Sequence, residues 1–361
     1  MKVLILANDA DGLYGFRREL LQALIAQKHE VYVSVPDDPG VELIRQMGCH
    51  FCPTDMDRRG TNPAKDLKLI LHYFKILKQI KPHMVFTYTI KPNVYGGLAC
   101  ALSGVPYAPN ITGLGTAVEN GGMLQKITLM LYRFGLRKAQ RVFFQNQANQ
   151  KFMLDKKIVR GSHTLLPGSG VNLERFTLLP YPAEEENIRF LFIGRVMRDK
   201  GVGELLSAAR TIKAKYPDVC FDIVGGYDED FTGEIEQAVA ENIVIYHGSQ
   251  SDVRPFIENA LCLVLPSYHE GMANVLLEGA ASGRPVIATR VPGCIETFDE
   301  NVSGLGCDIK SAESLAAAME TFINMPYERR KSMGLAGRSK VEREFDRAIV
   351  VNAYLTELER T

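Results

Sequence analysis

Short apolar runs alternate with longer stretches of helical periodicity along almost the whole chain. Runs at 2–7, 30–35, 50–53, 84–88, 107–111 and 141–145 read as strands, and a second set falls at 188–193, 220–224, 243–247, 262–266 and 285–289. Strands alternating with amphipathic helices predict βαβ units, hence parallel sheets covered on both faces. Between the two sets lies Leu178-Leu-Pro-Tyr-Pro-Ala-Glu-Glu-Glu186, whose prolines and acidic run predict a linker. The pattern therefore predicts two doubly wound α/β domains, residues 1–180 and 181–337, with the strand ends of both opening into a cleft between them.

Length and composition fit this reading. The chain has 361 residues, enough for two domains, and its 46 % apolar content suits sizeable cores. No apolar run reaches the ~18 residues that a membrane-spanning helix requires. Met1-Lys-Val-Leu-Ile-Leu-Ala7 is expected to be a first strand and not a signal peptide. Seven cysteines without framework spacing point to a reducing cytoplasm. Cys49-His-Phe-Cys52 has metal-like spacing but no second pair to complete a tetrahedral site, so burial is the expected role there and no metal is expected. In a cytoplasmic chain the glycosylation-like triplets at Asn110 and Asn301 carry no meaning.

The charge balance changes the picture. Lys plus Arg and Asp plus Glu are equal at 42 each, but residues 1–180 hold 23 basic against 13 acidic side chains, and the remainder 19 against 29. A basic half suggests a polyanionic partner. The aromatic-rich signatures of RNA modules and paired Cys/His fingers are absent, so nucleic acid gives way to an anionic membrane surface, contacted peripherally from the cytoplasmic side. Two basic amphipathic stretches are candidates for that contact. Residues 63–81 set Lys65, Lys68, Lys75, Lys78 and Lys81 around Leu67, Ile70, Leu71, Phe74 and Leu77; residues 121–138 set Lys126, Arg133, Arg137 and Lys138 around Leu124, Ile127, Leu131, Phe134 and Leu136. Either can lie in a headgroup layer. Either can equally turn its apolar stripe onto the sheet, which every doubly wound domain requires of its helices.

Candidate chemistry gathers at strand ends in the second half. The run 188–193 ends in Gly194-Arg195-Val-Met-Arg-Asp-Lys200-Gly201 before a helix predicted over 202–216. Arg forks onto two phosphate oxygens and Lys supplies a mobile point charge, which together suit a diphosphate; the neighbouring glycines let the backbone come close. The run 262–266 leads through Ser267-Tyr-His-Glu270 into Gly271, Met272, Ala273, Asn274 and, eight residues from Glu270, Glu278. Amides at a helix start after a parallel strand favour an anion, here predicted from Gly271, Met272 and Ala273. Eight helical residues span about 12 Å, so the two carboxylates can hold different parts of one long ligand. The alternative is a helix-terminal carboxylate and an unrelated surface glutamate.

Together, Gly194-Arg195 with Lys200-Gly201, the Glu270/Glu278 pair and Ala281-Ser-Gly-Arg-Pro285 resemble the retaining nucleotide-sugar glycosyltransferases of family 4, which have the GT-B fold. Asp57-Arg-Arg-Gly-Thr-Asn-Pro63, Thr87-Tyr-Thr-Ile-Lys-Pro-Asn93, Thr112-Gly-Leu-Gly115 and Gly168-Ser-Gly-Val-Asn172 are similar to a bacterial branch that builds capsule, O-antigen or other glycans on a polyprenyl diphosphate. The resemblance implies that Arg195 and Lys200 hold the departing nucleoside diphosphate, that Glu270 faces the transferred sugar, and that Glu278 binds the ribose. It implies that Asn274 and the amides of Gly271, Met272 and Ala273 complete the donor site, without cofactor or metal. It also implies that the last helix, from about residue 338, returns to the first domain.

For the first domain, the resemblance places a glycine near the donor phosphates, here Gly15 at the predicted helix start, although relatives have tandem glycines. Arg58, Arg59 and Lys91 are the candidate grip on an acceptor diphosphate; the plain alternative for each is a solvated loop cation. Many relatives place a His after the fifth strand, where this chain has Asn110-Ile-Thr112, so Thr112 is expected to take over part of that role. Competing classes are a sugar-nucleotide epimerase on the same frame, a transferase with a soluble acceptor, and a non-catalytic glycan-binding scaffold. A scaffold would have no physical requirement for Arg195, Lys200, Glu270 and Glu278 together. The donor is expected to be a UDP-hexose or UDP-N-acetylhexosamine, with the base held by backbone in loops such as Gly248-Ser-Gln250.

Overall fold

A computed structural model of the chain describes residues 1–57, 60, 62–115, 118, 121–184 and 186–361. It divides into two compact units: residues 1–169 with 348–361, and residues 170–347.

In the first unit the strands are β1 (Lys2–Leu6), β2 (Glu30–Val35), β3 (His50–Pro53), β4 (Met84–Tyr88), β5 (Tyr107–Ile111), β6 (Val142–Phe144) and β7 (His163–Leu165). Among the described residues they form one parallel sheet in the order β3-β2-β1-β4-β5-β6-β7. Both faces are covered. Along β1, Leu4 and Leu6 join one buried cluster while Val3 and Ile5 join the other. This two-sided burial explains why the inner strands read as nearly continuous apolar runs.

In the second unit the strands are β8 (Arg189–Ile193), β9 (Cys220–Val224), β10 (Ile245–Tyr246), β11 (Cys262–Leu265), β12 (Val286–Thr289) and β13 (Gly304–Cys307). They run parallel in the order β10-β9-β8-β11-β12-β13. Each sheet reverses its strand order beside its first strand, between β1 and β4 and between β8 and β11. Crevices that take ligands form at such points, outside the carboxyl ends of the strands.

Two edge strands escape the hydropathy pattern. β7 is short and largely exposed, and β13 reads Gly-Leu-Gly-Cys, poor in the residues that favour strands. The glycines of β13 have a physical reason: a Cβ on Gly304 would lie 2.7 Å from the Val286 carbonyl oxygen.

The division also falls eleven residues earlier than the expected boundary after residue 180. Val171 and Phe176 are buried in the core of the second unit, and Val171 bridges Asp346. The segment around Pro180 is pinned by the fully buried Arg284, whose guanidinium donates to the carbonyls of Pro180 (2.8 Å), Glu258 (3.0 Å) and Ile257 (3.0 Å). The returning segment likewise starts later than residue 338. The helix Tyr327–Glu344 ends before Phe345 and belongs to the second unit; the helix Arg347–Glu359 packs Val350, Tyr354 and Leu358 into the first. No described helix is long and apolar enough to cross a membrane.

Candidate functional site

In the second unit, the loops after β8 and β11 meet at the strand-order reversal. The β8 loop folds tightly against its neighbours because glycine permits it. Gly225 has φ 151, and a Cβ there would lie 1.8 Å from the Gly194 carbonyl oxygen. Gly201 has φ 70, and a Cβ there would lie 2.2 Å from the carbonyl oxygen of Pro266, at the end of β11. This close seat places Lys200, last residue of a 3₁₀ turn, beside Glu270, and its ammonium pairs with Glu270 Oε1. The two side chains are only 19 % and 12 % exposed. Arg195 stays outside this pair. It is 59 % exposed and its guanidinium donates to Asp228 Oδ2 at 2.7 Å.

Glu270 is held from behind. Ser267, fully buried, donates to the same Oε1 at 2.8 Å, and the buried Thr289 hydroxyl donates to the Ser267 carbonyl. Glu270 Oε2 has no donor among the described residues. Gly293, at φ 85, underlies the loop: a Cβ there would lie 2.4 Å from the Glu270 carbonyl oxygen. His269 is not at the centre; its Nε2 lies 3.7 Å from Asp199 Oδ2.

The structure revises the span from Glu270 to Glu278. The helix is Asn274–Ala281, so residues 270–273 are loop and the carboxylates are not two points on one helix. The Ala273 N–H, expected to face an anion, instead donates to the Gly293 carbonyl at 2.7 Å. The Met272 N–H has no acceptor among the described residues. Asn274 Oδ1 is buried and lacks a donor among the described residues. The Glu278 carboxylate makes no hydrogen bond or ion pair among the described residues, and desolvation pushes it up to about 7 against the opposing pull of Arg347 and Arg175.

The first unit has its own cavity at the carboxyl ends of its strands. Asn8, Met56, Thr89, Lys91, Thr112 and Gly115 line a space of about 260 Å³. Thr89 there has φ 69, an outlying conformation for a β-branched residue, and a π-helical turn, Pro92–Gly96, follows. Lys91 and Thr112 are thus brought together, but Lys91 is not a free loop cation. Its ammonium sits 2.8 Å from Asp66 Oδ1, and the Tyr95 hydroxyl donates to the other oxygen at 2.7 Å. The motif Thr87–Asn93 is tied inward: Thr87 donates to Asn93, Asn93 to the Asn110 carbonyl, and Asn110 to the Tyr354 hydroxyl. Gly15 does not start a helix. The helix Ala10–Ala26 begins earlier, capped by Asp9, and Gly15 lies in its second turn. Arg58 and Arg59 lie outside the described residues.

Sequence reasoning missed Ser267, Thr289, Gly293, Asp228 and Asp66. Ser267 carries a local signal, three residues before Glu270. The others become neighbours only through the sheet.

With this geometry in place, the comparisons with known proteins define the class. Residues 2–146 match the model "Glycosyl transferase 4-like" and residues 180–340 match "Glycosyl transferases group 1". Solved structures of the same GT-B fold include Anabaena Alr3699/HepE in complex with UDP and glucose (TM-score 0.82, 17 % identity, all of both chains). The sucrose-phosphate synthase of Thermosynechococcus elongatus is another (TM-score 0.78, 20 % identity, 100 % of this chain and 98 % of that one).

The chain belongs to the glycosyltransferases that combine these two regions. It is similar to the N,N'-diacetylbacillosaminyl-diphospho-undecaprenol alpha-1,3-N-acetylgalactosaminyltransferase of Campylobacter jejuni, at 26 % identity over 98 % of this chain and 97 % of that protein. It is also similar to the capsular polysaccharide biosynthesis glycosyltransferase CapM of Staphylococcus aureus, at 24 % identity over 92 % and 90 %.

Proposed function

We propose that this glycosyltransferase moves a hexose or N-acetylhexosamine, with retention, from a UDP-sugar to a saccharide carried on a polyprenyl diphosphate. The observation that carries this reading is the Lys200–Glu270 pair at the β8/β11 reversal, backed by Ser267. Lys200 and the exposed Arg195 supply the positive charge that a departing diphosphate requires, which is stabilisation where charge develops. Glu270 keeps Oε2 available for a sugar hydroxyl. The Met272 amide and Asn274 offer polar contacts to sugar or phosphate, and Glu278 accepts from ribose hydroxyls. On the same reading the first unit takes the acceptor, with Thr112 and the Lys91–Asp66 pair at its cavity. The lipid-linked acceptor is supported by the similarity to the Campylobacter enzyme and by the basic excess of residues 1–180.

The test is incubation with UDP-N-acetylgalactosamine, UDP-N-acetylglucosamine, UDP-galactose and UDP-glucose, each with a short-chain polyprenyl-diphosphate saccharide. Release of UDP and a product heavier by one sugar are expected with one donor, and the product's anomeric proton should report retention. Failure to transfer from any of these donors, with a product formed from a GDP-sugar instead, would remove the UDP assignment.

Gly293→Ala probes the support beneath Glu270. The left-handed backbone and the 2.4 Å approach to the Glu270 carbonyl leave no room for a methyl group. Loss of stability above about 1 kcal/mol is expected on thermal melting. Transfer should fall about tenfold or more, because a displacement near 1 Å is costly to a catalytic group. Unchanged transfer would show that the position of Glu270 does not matter.

A further inference from the structure

The helix Gly122–Gly135 carries an apolar face that the described residues leave exposed. Met123, Ile127, Met130 and Phe134 recur at i, i+4, i+7 and i+11, a single stripe, and are 72 %, 44 %, 51 % and 52 % exposed. The opposite face is clamped. Tyr132 is fully buried, and a Cβ on Gly135 would lie 2.6 Å from the Val94 carbonyl oxygen, so the helix cannot roll to hide the stripe. The helix Pro63–Ile80 differs in degree: Leu69, Tyr73, Ile76, Leu77 and Ile80 are buried, and Leu67 and Leu71, 57 % and 59 % exposed, are the two large apolar side chains it leaves in the open.

We propose that the helix Gly122–Gly135 lies in the headgroup layer of an anionic phospholipid membrane, with this stripe turned toward the acyl chains. The charges select that occupant. Residues 121–154 contain no Asp or Glu but six basic residues; Arg141 pairs with Glu357 and Lys151 with Asp155, while Lys126, Arg133, Arg137 and Lys138 form no ion pair among the described residues. Lys126 and Arg133 edge the stripe, where long basic side chains reach lipid phosphates while the apolar face is buried. A two-fold pairing of such helices would set their basic rows against each other, which disfavours a second copy. The proposal rests on the reading that the acceptor is lipid-borne, and it assigns the surface that meets the lipid.

The test uses flotation with vesicles of two parts phosphatidylethanolamine to one part phosphatidylglycerol, and with phosphatidylcholine alone. The full-length protein should bind the anionic vesicles, less so as salt rises. Replacing Met130 and Phe134 together with Glu should weaken this binding at least about tenfold, given the apolar area withdrawn from lipid. Neutralising Lys68, Lys75 and Lys78 to Gln on the helix Pro63–Ile80 should change it less than about twofold. All variants should keep wild-type transfer to an acceptor on a short, water-soluble prenyl chain, so a failure of the enzyme reading is distinguishable from a failure of the membrane reading. The proposal is overturned if the Met130/Phe134 variant floats as the wild type does. It is equally overturned if the wild type floats with neither vesicle, or if it sediments as a dimer that the same substitutions dissolve.

Discussion

Lys200→Ala is expected to lower transfer by at least about 10²-fold in kcat/KM, the scale seen when one preorganised donor to a transition-state charge is removed. In the free protein the Lys200 ammonium is already held against Glu270 Oε1, so it reaches the site without an ordering cost at the moment of reaction. The substitution also strands Glu270, only 12 % exposed, with Ser267 as its remaining side-chain donor among the described residues. A loss of about 1–3 kcal/mol in stability should accompany the kinetic effect. Arg195→Ala separates the two consequences. Arg195 is 59 % exposed and pairs with Asp228 at the surface, so its removal should change stability by about 0.5 kcal/mol or less while still slowing transfer. Initial rates of UDP release and thermal melting of both variants make the comparison. Near-normal turnover in both would remove the diphosphate assignment.

The second large effect concerns Glu278 and pH. Its carboxyl stands at about 7 in the folded chain, above the ordinary 4.5, because burial disfavours the charge more than Arg347 and Arg175 favour it. A group raised in this way stabilises the fold fully below pH ~4.5, and the contribution is lost as pH rises through about 7. Glu278→Gln should therefore match the wild type at pH 4 and exceed it by about 1–3 kcal/mol at pH 8, since it never charges. Ligand binding should show the opposite order. Ribose hydroxyls donate to an ionised carboxylate, so wild-type affinity for an intact UDP-sugar, whose diphosphate does not titrate in this range, should rise between pH 5.5 and 8. Glu278→Gln should bind about 10-fold more weakly at pH 8, with little pH dependence. Calorimetry at the two pH values decides it. Equal affinities at pH 8 would place the ribose elsewhere.

The strands β1, β2, β4 and β5 were legible because burial on both faces writes them as largely apolar runs, and β8, β9, β11 and β12 for the same reason. β7 and β13 were not. An exposed edge and a glycine-rich edge lack that signature, and their pairing comes from neighbours far along the chain. The same contrast runs through the candidate site. Arg195, Lys200 and Glu270 could be placed at strand ends because strand, loop and helix are consecutive in sequence. That Lys200 and Glu270 share a hydrogen-bonded contact, and that Arg195 does not, depends on β8 lying beside β11.

The sequence by itself determined the class of fold, the two-unit layout and the loops that carry charge, because hydropathy period and glycine placement act over a few residues. Tertiary structure alone decided which charges are available. Lys91 is paired with Asp66, Lys200 with Glu270, Ala273 gives its amide to Gly293, and Glu278 is raised by burial. It also decided which basic helix keeps an apolar face toward solvent. Helices 63–80 and 122–135 have similar amphipathic patterns, and only packing decides that the first leaves Leu67 and Leu71 exposed while the second leaves the longer row Met123, Ile127, Met130 and Phe134. Availability is a property of neighbours, and the neighbours here are brought together by sheet order.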